Sequence, residues 1–208
     1  LPTLPELARG PAMRIANLLP GACSALLRKN QLPFRFTGPQ TGIATPVRFT
    51  GSFGELEFRV PPEKSPYGFL DCRLALLFAE IAPLLREHHV HALRIDNFYR
   101  PGARLPARRS KRSQHAYGLA ADVVSFTLDD GTVLDVERDF HGRLGEPVCG
   151  PSAFLDPPAD AAVRLRNLTC ALARSGAFHH ILTPHHDLAH RNHLHLDIKR
   201  DNQWFSIQ

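Results

Sequence analysis

Two short stretches of the sequence carry histidine and aspartate side chains at spacings suited to binding a metal ion. The first places His115 and Asp122 on either side of a glycine, and the second ends in His193 and His195 with one residue between them. Two imidazoles and one carboxylate fill three positions around a tetrahedral zinc and leave the fourth for water. Because an open position distinguishes a catalytic zinc from a structural one, these residues favour a zinc hydrolase.

The alternation of polar and apolar residues after position 192 predicts a strand. On such a strand the polar side chains share one face: His193, His195 and Asp197. The same parity places Asp122 on the polar face of its own strand, so two strands would aim Asp122 and His195 into one cleft. His115 would arrive from the loop just upstream, where Gly118 lets the backbone turn.

The chain contains 12 histidines, so pairs that arise by chance are expected. A lone H-x-H on a strand would be weak support for a metal site. We expect the other clustered histidines to be surface residues or neighbours of the ligands: His88, His89, His91, His179, His180, His185 and His186. The joint occurrence of H-x-x-G-x-A-x-D and a terminal H-x-H-x-D is far more specific, and it predicts the metal site.

The first part of the chain is proline-rich and irregular. We expect residues 1–65 to wrap around a main domain formed by residues 66–208. Within this wrap, residues 14–29 suit a short helix, and residues 55–60 alternate as a strand would.

The pattern from Asp71 onwards predicts the elements that position the candidate ligands. A helix begins near Asp71 and has Pro83 as a potential kink. A second helix covers residues 160–175, with Asp160 as its N-cap and Gly176 just beyond its end. The remaining periodic segments predict strands: residues 92–99, a hairpin of 119–128 and 132–136, and a closing pair of 178–182 and 193–198. The predicted fold class is therefore α+β, a small antiparallel sheet with flanking helices.

Length and composition are typical of a globular protein. The chain has 208 residues, of which 43% are hydrophobic and 22% charged, which suffices to bury a core in one domain. No stretch approaches the roughly 20 consecutive apolar residues of a membrane span, so we predict none. The sequence opens on Leu1 rather than Met, and we expect any export signal to have been removed.

Positive charge is concentrated in one segment of the chain. The net charge is +5, and much of the excess lies in a single run: Arg100, Arg104, Arg108, Arg109, Lys111 and Arg112. Three interpretations stay open: a solvated loop, a surface that attracts an acidic polymer or a carboxylate-bearing substrate, or a nucleic-acid footprint. Stacking aromatic side chains do not interleave with the charges, which disfavours nucleic acid as a partner.

The cysteines are few and widely spaced: Cys23, Cys72, Cys149 and Cys170. No C-x-x-C motif occurs, so neither a thiolate zinc site nor a redox pair is expected. Two disulfides in an oxidising compartment suit this count, and four buried thiols in a cytosolic protein are the alternative. Three connectivities are open. We favour Cys149–Cys170, which closes a short loop, and Cys23–Cys72, which fastens the N-terminal region, in a periplasmic or secreted protein.

The motifs resemble those of a known group of zinc peptidases. The chain has the motif S-x-H-x-x-G-x-A-x-D from Ser113, followed by H-x-H at His193. This pair of motifs resembles those of D-Ala-D-Ala dipeptidases, D,D-carboxypeptidases and murein endopeptidases. The hedgehog signalling domain shares the fold of these enzymes. Within this group the chain most resembles the bacterial extensin-like C-terminal domain, over residues 67–204. The stretches that carry this closer resemblance are 67–76 (YGFLDCRLAL), 98–102 (FYRPG) and 189–197 (AHRNHLHLD).

The resemblance implies roles for individual residues. Its three zinc ligands correspond to His115, Asp122 and His195. Arg100 takes the position of a guanidinium that grips a substrate carboxylate or polarises the scissile carbonyl, and a planar, permanently charged fork suits both tasks. Ser113 and Tyr99 take supporting positions around the ligand loop.

The chain departs from part of the group at the general base. Dipeptidases and carboxypeptidases place a glutamate three residues before the last zinc ligand, where this chain has Asn192, which does not accept a proton usefully. The endopeptidases instead have H-x-x-H-x-H, which His190, His193 and His195 reproduce. An imidazole titrates near neutrality and serves as a base or stabilises an oxyanion. His193 is therefore the main candidate base and His190 the second.

The residues and the resemblance together predict a Zn²⁺-dependent peptidase that cleaves peptidoglycan, as an endopeptidase acting on a stem or cross-link peptide bond. The expected fold is that of hedgehog and the D-Ala-D-Ala peptidases. The alternative is a non-catalytic, zinc-containing module for cell-wall binding or signalling. A basic nucleic-acid binder is a third and weaker interpretation.

Overall fold

The computed structural model describes residues 7, 9–52, 54–105, 108–153 and 159–208. These residues form a mixed α+β fold with a central seven-stranded sheet, a three-stranded sheet and a two-stranded hairpin. The predicted α+β class is confirmed at this level. None of the described helices is long and apolar enough to cross a membrane.

The helices differ widely in length. In chain order, those considered below are α1 (Pro11–Ile15), α2 (Pro20–Lys29), α3 (Cys72–Glu87), α4 (Val136–Asp139) and α5 (Asp160–Arg174). Short 3₁₀ helices lie at Pro66–Gly68, Gln114–Tyr117 and Leu188–His190. Two of these 3₁₀ helices carry candidate site residues.

Most strands are short, and two are long. In chain order they are β1 (Phe34–Phe36), β2 (Pro46–Phe49), β3 (Glu57–Arg59), β4 (Leu70–Asp71), β5 (Val90–Asn97), β6 (Arg104–Leu105), β7 (Arg108–Arg112), β8 (Ala120–Leu128), β9 (Val133–Asp135), β10 (His180–Leu182), β11 (Leu194–Asp197) and β12 (Ser206–Ile207). The long strands, β5 and β8, pair with each other in the central sheet.

The central sheet places β8 between β5 and β11. Its order is β12-β10-β11-β8-β5-β3, and β9 also pairs with β8. β8 runs antiparallel to both neighbours, whereas the edge pairs β3–β5 and β10–β12 are parallel. The inner strands therefore confirm the predicted antiparallel sheet, and the parallel edges correct it. In the β8–β11 register, Asp122 lies directly opposite His195.

The long helix α3 anchors the hydrophobic core. Its N-cap is Asp71, whose carboxylate accepts hydrogen bonds from the backbone and side chain of the buried Arg73. Phe78 of α3 is fully buried and contacts aromatic rings from elsewhere in the chain: Phe49, Phe58, Phe98 and Phe178. The helix continues through Pro83. This packing fixes α3 beside the end of β5, which leads into the candidate site.

Two helix predictions need correction. Residues 14–29 do not form one helix, because α1 ends and α2 begins anew at Pro20. Proline disfavours helical geometry at the residue before it, and Leu19 is extended, with φ −69° and ψ 151°. Asp160 is the first residue of α5 rather than its N-cap, which is Ala159.

The other predicted elements lie close to their expected bounds. Each predicted strand lies within two residues of an observed one, the normal scatter of element ends. Gly176 follows α5 with a left-handed φ of 64°, as glycine beyond a helix C-terminus does. The basic run contains more than a loop, since part of it forms the hairpin β6–β7, and β7 is solvent-exposed along its whole length.

Two disulfides fasten distant segments together. Cys23–Cys72 joins α2 to the first residue of α3, and Cys149–Cys170 joins the segment after α4 to α5. Both favoured pairings are confirmed. The N-terminal segment also supplies β3, which pairs with β5 in the central sheet. A domain boundary after residue 65 stays a prediction.

Candidate metal centre

Neighbouring elements bring His115, Asp122 and His195 to one buried point. The register of β8 and β11 sets Asp122 opposite His195. His115 lies in the 3₁₀ helix just before β8, and the Oγ of the buried Ser113 accepts a hydrogen bond from its backbone N–H. Gly118 ends this turn with a φ of 62°, and a Cβ there would come within 2.9 Å of a backbone nitrogen. The ligand turn therefore requires glycine.

The ligand atoms of these three residues form a nearly equilateral triangle. His115 Nε2 lies 3.0 Å from Asp122 Oδ1 and 3.1 Å from His195 Nδ1, and those two atoms are 3.1 Å apart. Atoms bound at about 2.0–2.2 Å to a tetrahedral zinc are separated by about 3.3–3.6 Å. All three side chains are buried. The triangle therefore fits a zinc ion with a small outward adjustment.

The outer hydrogen bonds of the two imidazoles direct a lone pair from each ring toward the triangle. His115 Nδ1 donates to the carbonyl oxygen of Phe98 at 3.1 Å, which leaves Nε2 unprotonated in the neutral ring. His195 Nε2 donates to Asp197 Oδ2 at 3.1 Å, which leaves Nδ1 with the lone pair in the neutral ring. Zinc-binding histidines are oriented in this way by a carbonyl or a carboxylate on the far nitrogen. The donor set is arranged for a cation.

Asp122 is held through its second carboxylate oxygen. Asp122 Oδ2 accepts a hydrogen bond from Asn97 Nδ2 at 2.7 Å, and Arg100 Nη2 lies 3.8 Å from the same oxygen. Asn97 is the last residue of β5 and pairs with Asp122 across the β5–β8 ladder. These contacts leave Oδ1 to face the two imidazoles.

Arg100 lies at the solvent boundary of the centre. Its side chain is 50% exposed, whereas that of Asp122 is 5% exposed. The backbone N–H of Arg100 donates to the carbonyl oxygen of His115 at 3.0 Å, so the ligand turn fixes the point from which the side chain extends. The guanidinium is therefore placed to bind a carboxylate or a carbonyl oxygen of a molecule entering the centre.

His193 lies within reach of the triangle and is half-buried. Its Nε2 is 3.4 Å from Asp122 Oδ1, and its Nδ1 is 2.8 Å from Asn192 Oδ1. Because an amide oxygen only accepts hydrogen bonds, Nδ1 carries the proton and Nε2 the lone pair. Burial lowers the pKa of His193, which favours the neutral ring. This geometry suits a proton acceptor beside the metal position.

His190 lies one ring further from the ligands. Its ring centroid is 5.2 Å from that of His193 and 5.9 Å from that of His195. Its Nδ1 donates to Asp187 Oδ1 at 2.7 Å, which leaves Nε2 with the lone pair. Burial lowers the pKa of His190 against the opposing effect of Asp187. A histidine oriented by a carboxylate in this way is a candidate acid–base group.

Tyr99 supports the ligand turn from a distance. Its ring is buried, and its hydroxyl donates to the carbonyl oxygen of Thr41 at 2.7 Å. Next to Thr41, Gly42 packs against the carbonyl oxygen of Ala116, which lies in the ligand turn. This contact is so close that Gly42 has no room for a side chain. The supporting position predicted for Tyr99 is thus one of backbone packing.

Two of the remaining histidines are buried. His185 hydrogen-bonds the carbonyl oxygens of Glu146 and His141 at 3.0 and 3.2 Å. His179 accepts from the backbone N–H of Lys199 through Nδ1 at 3.1 Å. The prediction of a surface residue or a ligand neighbour is wrong for His185, because its ring holds the loop after α4 in place.

The comparison with known families agrees with the motifs. Residues 22–207 match the family model described as extensin-like protein C-terminus. This chain belongs to the extensin-like C-terminal family. No curated protein and no solved structure matches the chain. The family predicted from the motifs is confirmed, and the match begins at residue 22 rather than at the predicted residue 67.

The electrostatics of this extensin-like centre favour a bound positive charge. Burial lowers the pKa of His115. Burial opposes ionisation of Asp122, but hydrogen bonds from His115 and His195 hold its pKa well below the usual range. Burial also opposes protonation of His195, but hydrogen bonds to Asp122 and Asp197 raise its pKa to about 9. A metal ion would take the place of the proton that the triangle otherwise retains.

The sequence alone did not reveal the orienting roles of three polar residues in this extensin-like centre: Asn97, Asp187 and Asp197. Asp197 gave a usable signal, since it lies two residues after His195 on the same strand face. Asp187 precedes His190 by three residues, the spacing of a capped turn. Asn97 gave no local signal, because its role depends on the pairing of β5 with β8 and on a bulge in that ladder.

Proposed function

We propose that this extensin-like domain is a zinc-dependent peptidoglycan peptidase and that it acts as an endopeptidase on stem or cross-link peptides. The observation that carries the proposal is the buried triangle of His115, Asp122 and His195, whose three donor atoms converge on a point where a metal ion would replace a shared proton. Its neighbours are those of a hydrolytic site: two oriented histidines and an exposed arginine. The motifs that hold these residues resemble those of murein endopeptidases.

His115, Asp122 and His195 would hold the zinc ion. Zinc held there supplies a Lewis acid that lowers the pKa of water toward 7 and polarises a carbonyl group. Two neighbouring residues keep the ligand atoms converged before the ion arrives. Asn97 holds Asp122 in place, and Asp197 holds His195. Such preorganisation keeps the site from rearranging when the substrate binds.

His193 is the proposed general base. Its Nε2 accepts a proton from the attacking water, and Asn192 accepts the hydrogen bond from Nδ1 throughout. The same Nε2 then donates that proton to the leaving amine, as a single residue does in a base-then-acid cycle. Asn192 thus stands where related peptidases have a glutamate, and it orients the histidine that replaces that glutamate.

Arg100 is the proposed substrate anchor, and His190 assists it. The exposed guanidinium binds the carbonyl oxygen on which negative charge develops, or a free carboxylate of the stem peptide. His190, oriented by Asp187 through Nδ1, accepts through Nε2 in the same region of the substrate. Each role places a hydrogen-bonding group where charge changes during peptide hydrolysis.

The substrate class follows from the charge around the site. Beyond Arg100, β6 and β7 form an exposed basic hairpin, whose base is closed by a hydrogen bond from Ser113 N–H to the Ala103 carbonyl oxygen. Peptidoglycan stem peptides carry free carboxylates, which a cationic approach attracts. The two disulfides suit an oxidising compartment, so we place the enzyme in the periplasm or outside the cell.

Digestion of purified peptidoglycan tests the proposal. Zinc-loaded protein should release new muropeptides, and mass spectrometry of their termini should name the bond that is cut. His195→Ala should release none, and the exposed His89→Ala, a histidine change away from the ligands, should release the wild-type products. Equal release by His195→Ala would contradict the proposal.

A zinc-containing module without turnover is the second candidate function. The observation in its favour is Asn192, which stands in the position of the glutamate base of the dipeptidases. In that case the protein would bind zinc stoichiometrically and bind peptidoglycan in a pull-down, while no cell-wall substrate would yield a product. The digestion experiment therefore separates the two functions.

A further inference from the structure

A second group of metal-binding side chains lies beside the triangle. His186, Asp187 and His190 offer two imidazoles and a carboxylate, and their ligand atoms lie within 4.8 Å of one another. Asp187 Oδ1 is 2.7 Å from His190 Nδ1, and Asp187 Oδ2 is 3.6 Å from His186 Nε2. The carboxylate therefore bridges the two rings, one oxygen to each.

This second group is accessible from solvent. Its side chains are 32% exposed at His186, 47% at Asp187 and 18% at His190, whereas the ligands of the triangle are buried. The backbone is already folded around it, because Asp187 Oδ1 also accepts from the N–H groups of Ala189 and His190 in the 3₁₀ helix Leu188–His190. Ions can thus enter and leave without disturbing the core.

We infer that His186, Asp187 and His190 form a second, weaker zinc site that regulates the domain. Two imidazoles and a carboxylate are a zinc ligand set. The gap between Asp187 Oδ1 and His190 Nδ1 must widen from 2.7 Å to about 3.3–3.6 Å to hold the ion. We expect this site to bind zinc with lower affinity than the triangle. It is partly exposed, its ligand atoms must move apart, and its existing hydrogen bonds must break.

Occupation of this site changes the chemistry of His190. In the metal-free ring the proton lies on Nδ1, bonded to Asp187, and Nε2 carries the lone pair. To bind zinc through Nδ1 the neutral ring must move its single proton from Nδ1 to Nε2, with no net release of a proton. His190 would then be a donor only, and it would no longer accept a proton in the active centre. Excess zinc should therefore inhibit.

The existence of the site is independent of the proposed function, whereas the inhibition rests on it. The binding test is equilibrium dialysis against buffered zinc, with metal content measured by mass spectrometry. Wild-type protein should take up a first equivalent tightly and a second at higher free zinc. His186→Asn should lose only the second equivalent.

A matched control uses a histidine–aspartate pair elsewhere on the surface. His89 Nδ1 lies 3.8 Å from Asp129 Oδ2, and His89 is exposed. His89→Asn should keep both equivalents. A single equivalent in the wild-type protein, or a second one that survives in His186→Asn, would overturn the site.

The inhibition test follows peptidoglycan cleavage as free zinc rises. Turnover of the wild type should fall by about 10²-fold as the second equivalent fills, the low end of what one acid–base residue contributes. His186→Asn should keep the basal rate, since it lies outside the proposed machinery, and should resist excess zinc. Equal inhibition of both proteins would overturn the regulatory role and leave the binding result standing. Absence of cleavage by either protein at any zinc level would instead contradict the proposed function.

Discussion

At the scale of single residues, the candidate centre is defined by which nitrogen of each imidazole carries a proton. Phe98 and Asp197 accept from the outer nitrogens of His115 and His195, so both inner nitrogens offer lone pairs beside Asp122. Without a metal ion, an aspartate and two histidines facing one another share a proton. The outer partners therefore matter as much as the ligands. The three predictions at this scale concern one such partner, Asp197, and two further residues of the site, Asn192 and Arg100.

Asp197→Leu should weaken zinc binding without removing a ligand. His195 Nε2 would lose its acceptor, and loss of such an outer partner lowers metal affinity about 10–100-fold. Asp197→Asn should stay near the wild type, because the amide oxygen still accepts. Competition with a fluorescent zinc chelator measures both affinities. Equal affinity in the leucine and asparagine variants would show that Asp197 does not orient the ligand.

Asn192→Leu should lower kcat with little change in KM or zinc content. His193 would lose the acceptor that fixes its proton on Nδ1, and a misplaced general base costs about 10²-fold or more. Asn192→Asp should rescue the rate, since a carboxylate also accepts from Nδ1. Steady-state kinetics on a soluble muropeptide separate kcat from KM. A leucine variant as fast as the wild type would remove Asn192 from this role.

Arg100→Ala should leave zinc bound and sharply reduce turnover. The guanidinium is not a ligand, but it lies 3.8 Å from Asp122 and faces solvent, and loss of one charge-stabilising donor costs about 10²–10³-fold in kcat. Arg100→Lys should recover only part of the rate, because a point charge cannot replace the planar fork. The variant Arg104→Ala, in the exposed hairpin, serves as the charge-matched control. Full activity in Arg100→Ala would exclude Arg100 from the mechanism.

At the scale of elements, two of the three candidate ligands could be placed from the sequence because they lie on strands, where alternate residues share a face. Alternation alone placed Asp122 and His195 on polar faces, and the register of β8 and β11 brings them opposite each other. Asn97 could not be predicted, because a bulged ladder between distant strands positions it. The break at Pro20 was readable in principle, since proline disfavours helix at the residue before it.

The two disulfides should differ in their contribution to stability. Chain entropy depends on the length of the closed loop, and the two pairs are separated by 49 and 21 residues. Replacing Cys23 and Cys72 together by alanine should lower the free energy of unfolding by about 4 kcal/mol, against about 3 kcal/mol for Cys149 and Cys170. Urea unfolding monitored by circular dichroism measures both. A larger loss from the Cys149–Cys170 pair would contradict this order.

At the scale of the whole molecule, the fold combines a rigid, disulfide-linked core with a centre that meets solvent beside a cationic hairpin. The core side of the sheet buries aromatic and aliphatic residues around α3, and the polar ends of β8 and β11 carry the ligands. Composition and charge predicted a globular, basic domain. Neither could predict the hairpin β6–β7. All residues of β6 and β7 are exposed, so these strands lack the buried apolar face that would mark them in the sequence.

Stability should fall as the pH drops from about 6.5 to about 4. Burial lowers the pKa of His179 to about 4, so in this window the unfolded chain binds a proton that the folded chain does not. The loss is about 3 kcal/mol, complete near the lower limit. His179→Asn should flatten the decline in unfolding free energy over this range, and the exposed His91→Asn should leave it unchanged. An identical decline in His179→Asn would rule out this histidine as its source.

The central claim is that His115, Asp122 and His195 hold a catalytic zinc. X-ray absorption at the zinc edge of the stoichiometrically loaded protein tests it most directly. The predicted spectrum shows two imidazole nitrogens and a carboxylate oxygen at about 2.0–2.2 Å, with one further light-atom ligand, and His195→Ala should lose this signature. An unchanged spectrum in His195→Ala, or a wild-type protein that retains no zinc, would contradict the claim.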